Sequence, residues 1–366
     1  MAELCPATER DHRSIKLVTM GIGSLIWERH GHIAVCACGE SPDEDECYNY
    51  GIGDFAKPVA MGWGFLRGEK SFWAGKEEPM NMLWVYVHFD RSIWVQDLHL
   101  TEDQRVSMMK KLESDVLEEN RYYAYDHFAD NCTTRIRDII DNTIGGKLKA
   151  VSDKPTDGRT FRDLARAGFY GMEGPLLVTD IAMGRTTDRV PTYWERMFLP
   201  EFLRKATADD LGIPAKLIYE RKGPPALDDS PSGRPWIALI ALLLGAPCVL
   251  AAWRGRFQRS SVALAVIPPV LLGLVMWMIV IISPLPYLRW NEVILVFFPF
   301  DLCLFVLSAQ RRVKYARGRV AMLVLMALLM AINVLKQPLW PELLFPLVPA
   351  LVVGFWGAWR KPSTAR

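Results

Sequence analysis

The chain has 366 residues, of which 51% are hydrophobic, and its formal net charge is only +2 at pH 7. This small charge hides an asymmetry, because residues 1–235 hold 30 basic and 38 acidic residues, whereas residues 236–366 hold 13 and 3. The distribution excludes two ordinary soluble domains of similar composition. We therefore expect the first part to face water and the second part to lie in a membrane.

The first strand-like segments surround an acidic loop. Residues 26–38 alternate as an extended strand that carries His32, and a second strand is predicted over residues 47–52. Cys38 and Cys47 can face each other across this hairpin, which predicts a disulfide in an oxidising compartment. A zinc site is the alternative for this cysteine cluster, although no Cys-x-x-Cys pair accompanies it.

Further elements are predicted up to the middle of the chain. Residues 53–80 are rich in Gly, Trp and Phe and indicate a long connection with some local helix. Residues 82–89 and 92–100 are rich in β-branched and aromatic residues and predict two adjacent strands. Thr101 and Gln104 form a capping-box pattern, which predicts that an amphipathic helix starts there.

Cys132 lies at the start of the next predicted helix. Ile136, Ile139 and Ile140 repeat at helical spacing behind it, and Asn131 can cap the helix. The unpaired N–H groups of a first turn and the positive end of the helix dipole favour thiolate, so we expect the pKa of Cys132 to be lowered. The same N–H groups can hold an oxyanion, which makes Cys132 the candidate nucleophile.

The rest of the chain changes from polar to apolar. Residues 151–235 predict short helices and a polar linker. Five apolar stretches follow, at residues 236–253, 262–282, 293–309, 320–335 and 343–359. Because a membrane span needs about 17–25 residues, four or five transmembrane helices are expected. Asp301 is the acidic residue well inside one of these stretches, and a function or a charged partner is expected for it.

The loops between the apolar stretches predict an orientation. Eleven basic residues follow the first, third and fifth stretches, and only Arg289 and Lys336 occupy the alternate loops. The positive-inside rule then places the basic loops in the cytoplasm and the N-terminal domain outside. Since the first sixteen residues lack an apolar core, either the export signal lies upstream of this sequence or the orientation is inverted, and the large asymmetry of the loops favours the first alternative.

A cysteine nucleophile needs a nearby base, and histidine is the usual one. His32 follows Gly31 on its strand, where a bare backbone lets another element approach closely. His30 and His127 are further candidates, because spacing along the chain does not choose among the histidines.

The order of these elements resembles a known group of enzymes. A histidine on a strand, a hairpin, further strands, a helix and then Asn131-Cys132 at the start of another helix resemble the circularly permuted papain-like thiol enzymes, which include lecithin:retinol acyltransferase. Residues 27–35 and 48–55, and the run Asp130-Asn-Cys-Thr-Thr-Arg-Ile-Arg-Asp138, are similar to the bacterial Lnb-like family. This family has exported domains followed by membrane helices, and its namesake is a lipoprotein N-acyltransferase.

The resemblance implies an α+β fold in three parts. These are a circularly permuted papain-like thiol domain over residues 1–150, a helical extension and linker over residues 151–235, and a transmembrane helical bundle of four or five spans over residues 236–366. The catalytic pair is expected to be Cys132 and His32. The expected location is the bacterial inner membrane, with several spans and with the catalytic domain on the periplasmic side.

A third residue is expected to orient the imidazole of His32. Tyr50 and Asn49 are ranked ahead of Asp54 for this role, and the alternative for the tyrosine is that it only packs. Because Tyr50 and Asn49 point to opposite faces of a strand, only one of them can point at His32.

Two residues near Cys132 are candidates for substrate binding. Arg135 lies three residues after Cys132, hence on nearly the same helix face, where a guanidinium can bind a lipid phosphate. An ion pair with Asp138 is the alternative for Arg135. Asn131 is the second candidate.

The expected function is a membrane-bound thiol acyltransferase. Cys132 would attack a phospholipid ester, His32 would take and return a proton, and the resulting thioester would acylate the N-terminal cysteine of a lipoprotein. The alternatives are an envelope cysteine peptidase or amidase and a non-catalytic membrane scaffold. The expected partners are phospholipid, lipoprotein and membrane, and no cofactor, metal or nucleic acid is predicted.

Overall fold

The computed structural model describes residues 4–6, 14–224, 229, 231–256 and 258–356. The basic residues predicted to follow the fifth apolar stretch, the end of that stretch and part of the predicted linker lie outside the described residues. The chain forms two compact units. Unit 1 consists of Met1–Tyr170 with Val190–Ser230, and unit 2 consists of Gly171–Arg189 with Pro231–Arg366.

Unit 1 is built on one antiparallel sheet. Its strands are β1 Ile15–Met20, β2 His32–Ala37, β3 Glu46–Ile52, β4 Phe72–Glu77, β5 Ile93–Leu98, β6 Tyr122–Tyr123 and β7 Lys216–Tyr219. Their order across the sheet is β6-β4-β3-β2-β1-β5-β7, and all neighbours run antiparallel. The predicted hairpin of β2 and β3 is confirmed, whereas β4 and β7 were not expected.

The helices are distributed over both units. They are α1 Pro58–Leu66, α2 Pro79–His88, α3 Glu102–Asp115, α4 Cys132–Thr143, α5 Phe161–Gly168, α6 Glu173–Ala182, α7 Tyr193–Arg196, α8 Pro200–Leu211, α9 Arg234–Arg254, α10 Gln258–Ile282, α11 Pro286–Arg289, α12 Cys303–Val306, α13 Ala309–Ala331 and α14 Trp340–Phe355. The predicted start of α3 is confirmed, because Thr101 accepts from the backbone of Gln104. The predicted start of α4 at Cys132 is confirmed as well.

The strand predicted over residues 82–89 is wrong, because these residues lie in α2 and its C-terminal cap. Pro79 occupies the first turn of α2, where a missing N–H costs nothing. Met82, Leu83 and Tyr86 then follow at helical spacing and pack against one face of the sheet. This tertiary packing overrides the β-propensity of the individual residues.

The two faces of the sheet carry different cores. On one face, side chains such as Ile33 and Tyr48 pack with Ile136 of α4, Leu112 of α3 and Leu203 of α8. Each fully buried aliphatic side chain of this kind contributes roughly 1.5–3 kcal/mol. The opposite face holds the smaller core against α2, with alternate residues of β2 and β3. The strands therefore present neighbouring residues to two separate environments.

Two disulfides stabilise the loop end of the hairpin formed by β2 and β3. Cys36 is bonded to Cys47, and Cys5 is bonded to Cys38. The predicted bond between Cys38 and Cys47 is wrong, because the register of β2 and β3 places Cys36 directly opposite Cys47. The cluster proposed for zinc in the alternative prediction is thus engaged in disulfides.

The compact units do not coincide with the three segments suggested by the sequence. The helix α8 and the strand β7 come from the predicted extension, yet α8 packs in the core of unit 1 and β7 pairs with β5. The helix α6 comes from the same extension and belongs to unit 2. The chain therefore enters unit 2 at Gly171, returns to unit 1 at Val190 and leaves it again after Ser230.

Within the described residues, α9 and α10 are the two helices long and apolar enough to cross a membrane. The helix α14 is apolar but shorter, and the predicted bundle of four or five spans is not confirmed. The third apolar stretch is broken into 3-10 turns and the short α12, with Pro299 starting one of the turns. Basic residues that were expected in the next loop instead belong to the first half of α13.

Asp301 has a charged partner in unit 2. Its Oδ1 accepts from Nε of Arg319 at 2.8 Å and from the hydroxyl of Tyr315 at 2.9 Å, and its Oδ2 accepts from Nη2 of Arg319 at 3.0 Å. Arg319 also donates to the carbonyls of Leu295 and Val296. The network ties the broken third stretch to α13.

Candidate functional site

Asn131 fixes the start of α4. Its Oδ1 accepts from the backbone N–H groups of Thr133 and Thr134 at 2.8 and 2.9 Å, and its Nδ2 donates to the carbonyls of His127 and Phe198 at 2.6 and 2.9 Å. These four bonds use both donors and both lone pairs of the amide. The structure thus gives Asn131 a positioning role, and its predicted substrate-binding role stays a prediction.

Cys132 is buried, with 8% of its surface exposed, and it is one of three free cysteines among the described residues. Its sulfur forms a hydrogen bond with the hydroxyl of Thr133 at 3.8 Å and accepts one from the backbone N–H of Ile33. These bonds favour thiolate, but burial outweighs them and raises the pKa of Cys132. The expected lowering of this pKa is therefore wrong, and the resting group is a thiol.

Gly51 lies at the end of β3, beside the start of α4 and against the ring of Tyr125. It has a φ of +78°, and a Cβ at this position would lie 3.6 Å from Cβ of Cys132 and 3.2 Å from the ring of Tyr125. The register of β3 and β4 shifts at the same point, between Asn49 and Ile52. A glycine here supplies both the left-handed backbone and the close approach.

His32 is held by Asn49. Its Nε2 lies 3.0 Å from Oδ1 of Asn49, whose Nδ2 donates to Glu77 at 2.9 Å. Since an amide oxygen only accepts, Nε2 carries the proton and Nδ1 is the acceptor. Burial, followed by the charge of Arg91, lowers the pKa of His32 to about 4. The imidazole is therefore neutral at ordinary pH.

The structure brings three predicted residues to one end of the sheet. The hydrogen bond from the N–H of Ile33 places the sulfur of Cys132 at the backbone of the residue that follows His32. Asn49 orients the imidazole of His32 on the neighbouring strand. A thiol, a neutral base and an orienting amide are the groups that thiol-based acyl transfer requires.

The other candidates for orienting His32 have different partners. The hydroxyl of Tyr50 donates to Asp115 of α3 at 2.9 Å, in the core on the opposite face of the sheet. The carboxylate of Asp54 lies 3.5 Å from Nζ of Lys57. Of the three candidates, the structure therefore joins only Asn49 to His32.

Arg135 is engaged in an ion pair, but not with the predicted partner. Its Nε and Nη2 donate to the two oxygens of Asp130 at 2.6 and 2.9 Å, and its guanidinium lies 3.5 Å from the ring centre of Tyr123. Asp138 pairs instead with Arg137. A substrate-binding role for Arg135 stays a prediction.

The contacts of the remaining histidines explain why His32 is the candidate base. Nε2 of His30 lies 3.0 Å from the carbonyl of Ala165, and its ring packs edge-on against His127. His88 is on the surface and stacks on Trp84. The rings of these histidines make structural contacts. The sequence feature that distinguishes His32 as the candidate base is therefore its position on a strand directly after Gly31.

Three residues near the site were missed in the sequence. The ring of Tyr86 stacks on that of His32, with centroids 6.1 Å apart. The guanidinium of Arg91 lies over the Tyr86 ring, 4.6 Å from its centroid. Tyr123 is buried and interacts electrostatically with Cys132. The wrong strand prediction concealed Tyr86, and Pro79 was the signal that a helix begins there.

The fold and the site together define an α+β domain in which a buried cysteine contacts the strand that carries a neutral histidine, and an asparagine of the next strand holds that histidine. Residues 7–167 match the family described as the Lnb N-terminal periplasmic domain. The match supports the assignment of this part of the chain to the Lnb-like family. The match and the two apolar helices indicate a membrane protein with an exported domain. Neither curated proteins nor solved structures give a match.

Proposed function

We propose that the protein is a cysteine-dependent acyltransferase of the cell envelope. The observation that carries the proposal is the bond between Nε2 of His32 and Asn49, which leaves Nδ1 as the proton acceptor next to the strand position that Cys132 contacts. No hydrogen bond engages Nδ1 within the described part of the chain. The arrangement thus keeps one basic nitrogen available for the thiol proton.

In the first half-reaction, the sulfur of Cys132 attacks an ester carbonyl of a phospholipid while its proton passes to Nδ1 of His32. The backbone N–H of Cys132, which does not donate to Asn131 as those of Thr133 and Thr134 do, stabilises the oxyanion. The C–O bond then breaks, His32 returns the proton to the departing glycerol oxygen, and a lysophospholipid leaves. The acyl chain remains on Cys132 as a thioester.

In the second half-reaction, a primary amine attacks the thioester. His32 accepts the proton that the amine loses, the C–S bond breaks, and the sulfur takes the proton back as the amide leaves. The proposed amine is that of an N-terminal cysteine on a lipoprotein. A buried site favours this acceptor over water, because it keeps the thioester dry.

Two features support an exported domain attached to the inner membrane. The disulfides of unit 1 are typical of an oxidising compartment such as the periplasm. Arg254, Arg256 and Arg259 lie at the junction of α9 and α10, which favours a cytoplasmic placement of this junction. The segment before α9 would then be periplasmic. A multi-pass arrangement in the inner membrane is part of this proposal.

Exposed apolar side chains on segments that adjoin β2 and β3 and on the helices α1 and α2 support a lipid substrate. They are Leu25, Ile26, Trp27, Phe55, Trp63 and Trp84, each between 39% and 59% exposed. They belong to the loop before β2, the turn after β3, and the helices α1 and α2, of which α2 carries the ring stacked on His32. Such side chains give an acyl chain a surface to contact outside the bilayer.

The test is to incubate the purified full chain with acyl-labelled phospholipid and to locate the label. We expect a hydroxylamine-sensitive label on Cys132, absent in Cys132→Ala and retained in the matched variant Cys303→Ala. A synthetic peptide with an N-terminal cysteine should then discharge the label to form an amide. Label that persists in Cys132→Ala would overturn the mechanism. Cleavage of envelope peptides without any labelling would instead identify a cysteine peptidase or amidase.

A further inference from the structure

Three arginines converge on the loop between β1 and β2. Their guanidinium groups donate to three successive backbone carbonyls, one arginine to each carbonyl. The pairs are Arg91 Nε with Gly21 at 2.9 Å, Arg221 Nη1 with Ile22 at 2.9 Å and Arg29 Nη1 with Gly23 at 3.4 Å. Guanidinium groups from three separate segments of unit 1 are thereby held around one short loop.

This cluster has donors that the described residues leave without acceptors. Arg91 is only 5% exposed, and its Nη2 makes no hydrogen bond within the described part of the chain. Nε of Arg221 is likewise buried and has no acceptor there. A charged donor removed from water without an acceptor is costly, so a built site of this kind indicates an anion that supplies the acceptors.

The neighbouring acids do not fill this role. An oxygen of Glu28 lies 3.8 Å from Nη1 of Arg91, beyond hydrogen-bond distance. The carboxylate of Asp90 interacts with Arg221, but its oxygens accept from the hydroxyl of Tyr219 and from backbone N–H groups. Burial and the charge of Arg221 also lower the pKa of Arg29, which shows that like charges lie close together.

The ring of Tyr86 lies between Arg91 of this cluster and His32, the candidate base. The guanidinium of Arg91 is 4.6 Å from the centre of the Tyr86 ring, and this ring stacks on His32. The charge of Arg91 interacts with both His32 and Cys132. An anion bound to Arg91 would therefore be held close to the sulfur.

The tip of the same loop is apolar. Leu25, Ile26 and Trp27 are 44%, 44% and 46% exposed, and Trp27 packs on Phe55 with ring centroids 5.2 Å apart. In a phospholipid the phosphate lies directly next to the acyl chains. Arginines around the start of this loop and exposed apolar and aromatic side chains at its tip match that arrangement. A soluble phosphate compound has no acyl chain to contact such a tip.

We propose that Arg91 and Arg221 bind the headgroup phosphate of the phospholipid that donates the acyl chain, and that Arg29, whose Nε and Nη2 donate to the carbonyls of Gly168 and Tyr170, adds only its charge. The inference rests on the proposed acyltransferase function and names how its donor is recognised. Guanidinium groups suit phosphate because they present several N–H donors in a fixed plane. The phosphate and the ester carbonyls of a phospholipid share one glycerol backbone, so a phosphate held here positions a carbonyl for Cys132.

The test compares two acyl donors with the same chains, a phosphatidylglycerol and the phosphate-free diacylglycerol, in detergent micelles with the full chain. We use Arg221→Gln, because Arg221 is half-buried, and Arg91→Lys, which keeps the charge but loses the planar fork. We expect thioester formation on Cys132 to fall at least tenfold with phosphatidylglycerol and to stay within twofold with diacylglycerol. Arg105→Gln, at an arginine of α3 paired with Glu102, is the matched control and should change neither rate.

An equal loss with both donors, or no loss with either, would overturn the proposal. A second arm measures binding without activity, as the shift of the melting temperature caused by inorganic phosphate and by phosphatidylglycerol. We expect phosphatidylglycerol to stabilise the wild type more than Arg221→Gln. If only inorganic phosphate shows this difference, the site binds a soluble anion and the lipid assignment is wrong.

The binding measurement distinguishes a failure of the phosphate site from a failure of the proposed acyltransferase function. If the wild type forms no thioester with either donor, the acyltransferase proposal fails by itself. Phosphatidylglycerol binding that depends on Arg221 would then still support the phosphate site. Binding that is equal in the wild type and Arg221→Gln would overturn it.

Discussion

Each unit of the molecule contains a buried polar cluster, and the two clusters differ in how completely they are paired. In unit 2, both oxygens of Asp301 accept hydrogen bonds, and Arg319 donates from all three of its nitrogens. In unit 1, Nδ1 of His32 and Nη2 of Arg91 make no hydrogen bond within the described residues. Burial of a charge alone therefore does not mark a functional site.

This contrast changes the interpretation of Asp301. Its position inside an apolar stretch raised the alternatives of a function or a charged partner, and the structure supplies the partner in Arg319. A saturated ion pair holds the surrounding segments in place. We therefore expect disruption of the two clusters to have different consequences, with loss of chemistry in unit 1 and loss of stability in unit 2.

The largest effect is expected for His32→Gln. A glutamine cannot take the thiol proton, so thioester formation on Cys132 should fall by about 10²–10⁴-fold. The melting temperature should remain close to that of the wild type. His88→Gln is the matched control, because His88 lies on the surface of α2. A His32→Gln variant with wild-type labelling kinetics would remove the proposed base.

Asp301→Ala should lower the free energy of unfolding by about 3–5 kcal/mol, because it leaves the buried Arg319 without its counter-charge. Denaturant titration of the full chain measures this loss. The labelling rate of Cys132 per folded molecule should stay unchanged. The double variant Asp301→Leu with Arg319→Leu removes both charges and should recover most of the stability. Loss of labelling at full stability would show that Asp301 takes part in chemistry.

A smaller effect is expected for Asn49→Ala. Without the amide oxygen, Nε2 of His32 loses its acceptor and the imidazole is no longer fixed in one tautomer, so labelling should slow by roughly tenfold. Asn49→Asp restores an acceptor and should recover most of the rate. If Asn49→Ala labels as fast as the wild type, the orienting role of Asn49 is refuted.

The smallest change is expected in the pH dependence of labelling. His32 must be neutral to accept a proton, and its pKa is lowered to about 4. The rate should therefore be constant from neutral pH down to about pH 5 and fall only as pH approaches the pKa of His32. Asn49→Asp should move this acid limb upward, because a carboxylate favours the imidazolium. A limb near pH 6.5 in the wild type would indicate an unperturbed histidine.

Local patterns predicted those parts of the fold that depend on neighbouring residues. The capping box at Thr101 and the isoleucine spacing behind Cys132 identified α3 and α4, because caps and helical periodicity are properties of a short segment. His32 and Asn49 were found through a family resemblance together with strand alternation. Their hydrogen bond could only be seen once the two strands were placed side by side.

Features that depend on distant contacts were not predictable. The partner of Cys47 is decided by the register of β2 and β3, and a shift of two residues separates Cys36 from Cys38. The pKa of Cys132 is decided by burial, which outweighs the local effect of the helix start. The pairing of β7 with β5 joins residues more than a hundred positions apart. Each of these outcomes needs the tertiary structure.

The excursion of Gly171–Arg189 into unit 2 has a consequence for how the protein can be divided. Truncation after Tyr170 would remove α8 and β7, which supply part of the core and one edge of the sheet. Truncation after Ser230 would retain them but would strand α6 in water without its packing partners. Proteolysis at any one bond therefore cannot liberate an intact unit 1, and a separate version of unit 1 requires excision of the excursion and direct ligation of its flanks.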